Sequence, residues 1–268
     1  QAAAAAAEAS VAKTKAPPAE SQGDGALDGL LDLRIASILT ARYVDLKLAD
    51  FWGSAILILQ APLIGFFLSL AFDGQSDGDR GFPFVLAMVA VWLGTFSGCR
   101  EVVKERLIFL RERRAGVSVR AYLLSKVGVL AFVSAIQCLL LLIMVRRTVD
   151  FDSSLPLVFL LLLLTTLSAN ALGLMLSSMV KSQNSLIASV PIVLIPQLIF
   201  SDVLLPNPGQ LVENIELGMM ASWAYDVLHE LPKSEPMWGT IALSCVVLVG
   251  MQFAMLLASG IFLRAQDE

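Results

Sequence analysis

The stretch KERLIFLRERRAGVSVRAYLLSK, from Lys104 to Lys126, carries nine charged side chains in 23 residues and lies between long apolar runs. The chain of 268 residues is 57% hydrophobic and only 16% charged, with a mean hydropathy of +0.76. Soluble domains carry about 25% charged residues, so this composition is typical of a membrane protein. The central charge cluster must therefore lie in a connection between membrane spans.

Six apolar segments are long enough to cross a bilayer, because about 20 mostly apolar residues span its hydrocarbon core. They are Trp52–Phe72, Phe82–Cys99, Val119–Val145, Leu155–Val180, Ser185–Leu205 and Trp238–Leu263. The sequence therefore predicts an all-α membrane protein with six transmembrane helices.

Lysine and arginine mark one side of the predicted bundle. They are concentrated before the first span and between the second and third, whereas the connection DGQSDGDRG at 73–81 and the connection before the sixth span are acidic. Arg146 and Arg147 depart from this pattern and are partly offset by Asp150 and Asp152. Because cytoplasmic connections carry an excess of lysine and arginine, we expect both termini and the 104–126 region to be cytoplasmic. A multi-pass protein of the plasma membrane, more specifically a bacterial inner membrane, is expected.

The residues before the first span fall into two parts. Residues 1–27 are rich in Ala, Pro, Gly and Ser, which is typical of a linker. Residues 28–50 place apolar side chains at helical spacing among charged ones, which predicts an amphipathic connecting helix at the inner membrane surface. The alternative is a helix that packs only on protein. Residues 51–268 would form the six-helix transmembrane domain.

The segment Glu101–Arg114 contains acidic and apolar residues that membrane topology does not require. Positive charges alone would keep the connection inside, yet three glutamates and an apolar group stand among them. A short helix of this composition below the membrane favours a protein partner. Gly116 is expected to end it, because glycine accepts the left-handed conformation that closes helices.

The stretch EVVKERLIFLRERRAGVSVRAYLLSK, from Glu101 to Lys126, resembles the signature region of the ABC-2 type transporter membrane domain, in its ABCG/White-like branch. PQLIFSDVLLP at 196–206 resembles the end of that family's fifth helix, and MMASWAYDVL at 219–228 resembles its next motif. The resemblance covers roughly Leu30 to Arg264. It implies a short re-entrant outer segment before the last helix, and a substrate pathway between two six-helix halves.

The resemblance also implies roles for individual residues. Glu101–Arg114 would be the cytoplasmic coupling helix, which docks on an ATPase domain. The residues implied in this coupling are Glu101, Glu105, Phe109, Arg111, Glu112 and Arg113. The residues implied along the substrate pathway are Trp92, Leu93, Phe96 and Gln197, and the apolar plug would be formed by Val203 and Leu204. Leu93 stands where the family has an aromatic that clamps substrate, which argues against specificity for flat aromatic drugs.

No motif in the chain supports catalysis of its own. There is no Gly-x-x-x-x-Gly-Lys-Ser/Thr phosphate-binding loop. A single histidine, His229, and three cysteines in or beside apolar runs predict no metal site and no cofactor. The net charge of −4 argues against a nucleic-acid partner. ATP and magnesium would be bound by an ABC ATPase, either fused upstream through the linker or present as a separate subunit.

The expected function is that of the permease domain of an ATP-driven ABC exporter. A lipid-like or hydrophobic substrate would move outward through the interface between two copies of the chain, in contact with membrane lipid. The alternative is a non-transporting mechanotransmitter or anchor for an ABC ATPase, which a large outer domain would favour. An ion channel would need a ring of charges or a carbonyl filter. Lipid, lipid-linked sugar, pigment and hydrophobic drug all remain open as substrates.

Overall fold

A computed structural model of the protein describes residues 25–180, 182–200 and 209–265, without the side chains of residues 25–31, 211 and 213. Within these ranges every regular element is an α-helix. In chain order they are α1 Gly25–Ala49, α2 Phe51–Ala71, α3 Gly81–Cys99, α4 Glu101–Arg114, α5 Val119–Val145, α6 Leu155–Met179, α7 Gln183–Ile199, α8 Gln210–Glu216, α9 Met220–Glu230 and α10 Trp238–Ala265.

The predicted fold class, an all-α membrane protein, is confirmed. Five helices in the described ranges are long and apolar enough to cross a membrane: α2, α3 with its continuation into α4, α5, α6 and α10. Helix α7 has 17 residues, or about 26 Å at 1.5 Å per residue. The predicted span Ser185–Leu205 extends past α7 into residues 201–208, which lie outside the described ranges.

Helices α3 and α6 cross at near backbone contact in the centre of the bundle. A Cβ atom added to Gly94 would lie 2.3 Å from the carbonyl oxygen of Thr166, and one added to Gly98 would lie 2.4 Å from that of Asn170. From the other side, a Cβ on Gly173 would lie 2.5 Å from a backbone oxygen of α3. Such small-xxx-small contacts are a main source of packing between membrane helices, since lipid is as apolar as the helices themselves.

Buried amides join the membrane helices to one another. Gln137 of α5 donates to the carbonyl oxygen of Leu57 in α2 at 2.7 Å and accepts from the hydroxyl of Ser97 at 3.3 Å. Asn170 of α6 donates to the hydroxyl of Ser134 at 2.8 Å. Such interhelical hydrogen bonds are a common role of amide side chains in membrane bundles.

Helix α9 is short but packs inside the bundle, against α3, α6, α7 and α10. Its first turn has no cap from its own side chains. Instead, the buried side chain of Gln197 in α7 accepts from the backbone N–H of Ala221 at 3.0 Å, which satisfies one of the unpaired donors at a helix start. Together α8 and α9 form the short segment before the last helix that the resemblance implies.

The glycine contact predicts a large difference between two glycine substitutions. Gly98→Ala should lower the free energy of unfolding by about 1–3 kcal/mol, because the added methyl group overpacks the α3–α6 crossing. Gly250→Ala is the matched control in α10, where an added Cβ meets nothing within 4 Å. It should be neutral or stabilising by up to ~1 kcal/mol, since alanine favours the helix. Unfolding in mixed detergent micelles measures both, and equal effects would contradict the role given to the crossing.

Candidate functional site

Helix α4 is held at its start by a residue of another helix. It follows α3 after the single residue Arg100, which offers no side-chain cap. The hydroxyl of Ser177 in α6 accepts from the backbone N–H groups of Val102 and Val103 at 3.1 and 3.0 Å. Ser177 is buried, so these donors are satisfied away from water. The start of α4 is therefore fixed to α6.

The end of α4 closes as the sequence predicts. Gly116 has φ +93°, and the N–H of Val117 donates to the carbonyl oxygen of Glu112 at 3.1 Å. This is the hydrogen bond of a Schellman motif, in which glycine accepts the left-handed conformation. The hydroxyl of Ser118 then accepts from the N–H of Ala121 at 3.1 Å and caps α5. The expected stop at Gly116 is confirmed, and α5 begins directly afterwards.

The inward face of α4 is apolar at two positions. Val102 and Phe109 are 1% and 2% exposed and belong to a cluster with residues of α5, α6 and α10. The ring of Phe109 packs against that of Tyr122, with centroids 4.6 Å apart. Phe109 is therefore a core residue of the contact between α4 and α5.

A buried ion pair joins α4 to α5. The ammonium group of Lys126 donates to Glu105 at 2.5 Å, and both residues are at most 9% exposed. The same ammonium lies 3.4 Å from the ring centroid of Tyr43 in α1, a cation–π contact that favours the charged form. A charge buried without a partner would cost several kcal/mol, so Glu105, Lys126 and Tyr43 depend on one another.

Two further ion pairs join α4 to α1. Lys47 donates to Glu101 at 2.6 Å, and the guanidinium of Arg42 pairs with Glu112. Burial, together with the nearby cations Lys126 and Lys104, lowers the pKa of Lys47 to about 8. Helix α1 is thus attached to α4 by charge, whereas its buried apolar residues Ala36 and Leu39 pack against Ala121 of α5.

The pair between Lys104 and Asp50 is different, because both side chains are exposed. The hydrogen bond from Lys104 holds the pKa of Asp50 below its usual range, and the backbone N–H of Gly53 acts in the same direction. Asp50 also caps α2 through that N–H, at 3.2 Å. The pair lies where α1 passes into α2.

The outward face of α4 is apolar and basic. Leu107 is 79% exposed and Ile108 is 38% exposed, and Arg111 and Arg114 are exposed beside them. Adjacent exposed apolar side chains with a rim of polar residues are typical of protein interaction sites. This face, Leu107 with Ile108, Arg111 and Arg114, is called the outer face of α4 below.

The residues that the resemblance implies in coupling lie on different faces of α4. Glu101, Glu105, Phe109 and Glu112 all face the rest of this chain. Arg111 lies on the outer face of α4, while Arg113 is half-buried and its guanidinium lies 3.4 Å from the carbonyl oxygen of Val117. Their coupling roles remain predictions, and the glutamates would act through their partners in α1 and α5.

The residues implied along the substrate pathway are also separated. Trp92 and Phe96 stand one turn apart on an exposed face of α3, at 43% and 39% exposure, whereas Leu93 is 2% exposed in the core. The side chain of Gln197 accepts a hydrogen bond from the start of α9. The structure therefore brings only the two aromatics together on one surface. The predicted plug residues, Val203 and Leu204, lie outside the described ranges.

Sequence reasoning missed the partners of the glutamates. The pairing of Lys126 could have been predicted, because a lone cation inside an apolar run needs a buried partner. The pairing of Lys47 and Arg42 with α4 could not have been predicted, because charges at such positions are ordinary in an amphipathic helix. Ser177 had no signal at all, since serine is common in membrane helices and the cap joins residues 75 positions apart.

The sequence of the chain is similar to that of known transporter proteins. The family model of the ABC-2 type transporter matches residues 37–225. The chain is also 27% identical over 235 residues to the ABC transporter ATP-binding/permease protein Rv1747 of Mycobacterium tuberculosis, an alignment that covers 78% of this chain and 27% of that protein. The chain therefore spans about a quarter of the length of that relative. It belongs to the ABC-2 type transporter family.

The buried ion pair predicts non-additive effects on stability. Glu105→Gln and Lys126→Met should each lower the free energy of unfolding by about 3–5 kcal/mol, because each leaves a buried charge unpaired. The double variant should lose much less than the sum of the two. Lys104→Met, in the exposed pair with Asp50, should change stability little. Additive losses in the double-variant cycle would show that the two side chains do not depend on one another.

Proposed function

We propose that this ABC-2 type transporter membrane domain is the permease of an ATP-driven exporter, which moves a lipid-like or hydrophobic substrate outward. One observation carries the proposal: α4 is fixed to the bundle at both ends and on its inner side, yet presents an apolar and basic outer face. A helix built in this way can receive a force from a bound protein and pass it to membrane helices.

The force would follow the contacts already described. Movement of the outer face of α4 reaches α5 through Glu105 and Lys126, and it reaches α6 through Ser177. The pair between Glu101 and Lys47 carries it to α1. Because each link is buried or hydrogen-bonded, the helices would shift as a unit. The coupling assignment of Glu101–Arg114 is supported by this geometry.

The partner on the outer face of α4 would be an ABC ATPase, which binds ATP and magnesium. The name of the mycobacterial relative joins an ATP-binding part and a permease in one protein. This supports either an ATPase domain fused to this chain or a separate ATPase subunit. The permease supplies the path, and the ATPase supplies the energy.

The pathway would lie between two copies of the chain, as in the ABCG-like branch. Helices α2 and α10 are little buried within the single chain, at 22% and 17% of their apolar windows. With the exposed Trp92 and Phe96 on α3, they leave broad apolar surfaces for a second copy and for lipid. Val203 and Leu204 would form the plug between the inner cavity and the outside.

The outer connections favour export over the alternative of mechanotransmission. Between α2 and α3, between α5 and α6, and between α9 and α10, the described chain has only short turns. None of these can hold the large outer domain on which a mechanotransmitter would act. Substrate transport is therefore the function that this part of the chain supports best.

The outer face of α4 predicts a loss of coupling without a loss of stability. Leu107→Asp should lower ATP hydrolysis by the assembled transporter several-fold, because it places a charge where an apolar anchor meets the ATPase. Its thermal midpoint should be nearly unchanged, since Leu107 is 79% exposed. Leu217→Asp is the control, with a leucine that is 58% exposed beyond the opposite end of the bundle. Equal activity of the two variants would remove α4 from the coupling path.

The proposed orientation can be tested by cysteine labelling. In a background without Cys99, Cys138 and Cys245, Ser234→Cys should react with a membrane-impermeant maleimide in intact cells. Ala115→Cys, at the end of α4, should react only after permeabilisation, because lysine and arginine keep that side in the cytoplasm. Both positions are exposed, so accessibility alone does not separate them. The reverse labelling pattern would overturn the orientation.

A further inference from the structure

A partly open cavity of about 500 Å³ lies where α1 passes into α2 and α3 passes into α4. Its wall includes Ser54 and Leu57 from the first turns of α2, and Phe96 and Ser97 from the last turn of α3. The cavity therefore lies at the level where these two spans leave the hydrocarbon. It adjoins the outer face of α4 at Ile108, which belongs to both.

The cavity wall carries three cationic and three acidic side chains, and a fourth cation, Lys126, lies behind it. The charged residues of the wall are Lys47, Asp50, Arg100, Glu101, Lys104 and Glu105. Each acid among them has a lysine partner: Asp50 with Lys104, Glu101 with Lys47, and Glu105 with Lys126 behind the wall. Arg100 forms no ion pair with any residue that the structure describes. An arginine left over in this way favours an anionic ligand, and its planar fork suits phosphate.

The cavity has an apolar side next to this charged one. Leu46, Phe96 and Ile108 line it and are each about 40% exposed, at 41%, 39% and 38%. Phe51 and Trp52 stand exposed at the start of α2 beside it, and such aromatics are enriched at the headgroup level of a membrane. A ligand that fills both sides must carry an anionic group and an apolar part.

The hydroxyl of Tyr43 adds an independent observation. Tyr43 lines the cavity and is 3% exposed, and its hydroxyl has no hydrogen-bond partner among the described residues. Buried hydroxyls are nearly always paired. Because the hydroxyl is inaccessible to solvent, a ligand would reach it only after a neighbouring side chain of the cavity wall moved.

We propose that this cavity binds the phosphate-bearing headgroup of an anionic phospholipid, with the guanidinium of Arg100 on the phosphate. The lipid would come from the leaflet at this end of the bundle, which is the inner leaflet in the orientation proposed above. Basic pockets between membrane helices on that side are a known mode of lipid binding. The acyl chains would leave past Leu46, Phe96 and Ile108. Such a lipid would touch α1 and α4 at once and would not be the transported substrate.

Lipid binding to the detergent-purified transporter tests this proposal by native mass spectrometry. Phosphatidylglycerol should bind more tightly than phosphatidylcholine of the same acyl chains. Arg100→Gln should weaken phosphatidylglycerol binding about tenfold, the value of one charge-assisted contact of ~1.4 kcal/mol. Arg100→Lys, which keeps the charge, should retain most of the binding. Arg120→Gln is the control, because Arg120 is exposed at the start of α5 and does not line the cavity.

Three results would overturn the proposal. Equal losses in Arg100→Gln and Arg120→Gln would show general surface attraction and no site. Equal binding of the two lipids, unchanged by Arg100→Gln, would show that Arg100 does not bind the phosphate of the headgroup. Displacement of the lipid by an equal concentration of inorganic phosphate would show a site for a free anion. None of these outcomes bears on export or on the ATPase partner, since transport and ATP hydrolysis are not the readout.

Discussion

The rest of the structure depends on the close crossing of α3 and α6. In a bilayer no hydrophobic force draws two helices together, so packing and hydrogen bonds must do it. Gly94, Gly98 and Gly173 allow the two backbones to approach until any side chain would collide. Helix α6 thereby becomes the centre of the bundle, with α3 on one side and α10 on another. The more exposed helices α2 and α10 are added around this pair.

Polar side chains from elsewhere in the chain hold short elements at the membrane edges. Ser177 caps the start of α4, and Gln197 caps the start of α9. On the outer side, Asp77 accepts from the backbone N–H groups of Asp152 and Ser153 before α6 begins. In each case the donor and the acceptor come from different parts of the chain. Short helices and turns at the membrane edges are therefore placed by contacts with distant parts of the chain, and their own capping residues contribute little.

Much of the fold could be read from the sequence, because hydropathy and length report membrane spans directly. The stop at Gly116 was also readable, since it rests on the conformational freedom of one residue. The side of α4 on which its acids are buried could not be predicted from the sequence. Glu105 and Glu112 look alike in the sequence, and only the rotation of α4 against α1 and α5 turns both toward this chain. The small-xxx-small pair Gly94 and Gly98 could be recognised in the sequence. Nothing in the sequence indicated that its partner would be Gly173.

The cap that Ser177 provides also sets an order of events during synthesis. The chain is made from its N-terminus, so α3 and α4 are complete while α6 is still absent, and 75 positions separate Val102 from the serine that caps it. Until then the glycine groove of α3 faces lipid and the first N–H groups of α4 lack their acceptor. The arrival of α6 satisfies both needs in a single step. The glycine crossing and the cap of α4 therefore form only after the fourth span is made, and the ribosome must pass residue 177 before the start of α4 has its acceptor.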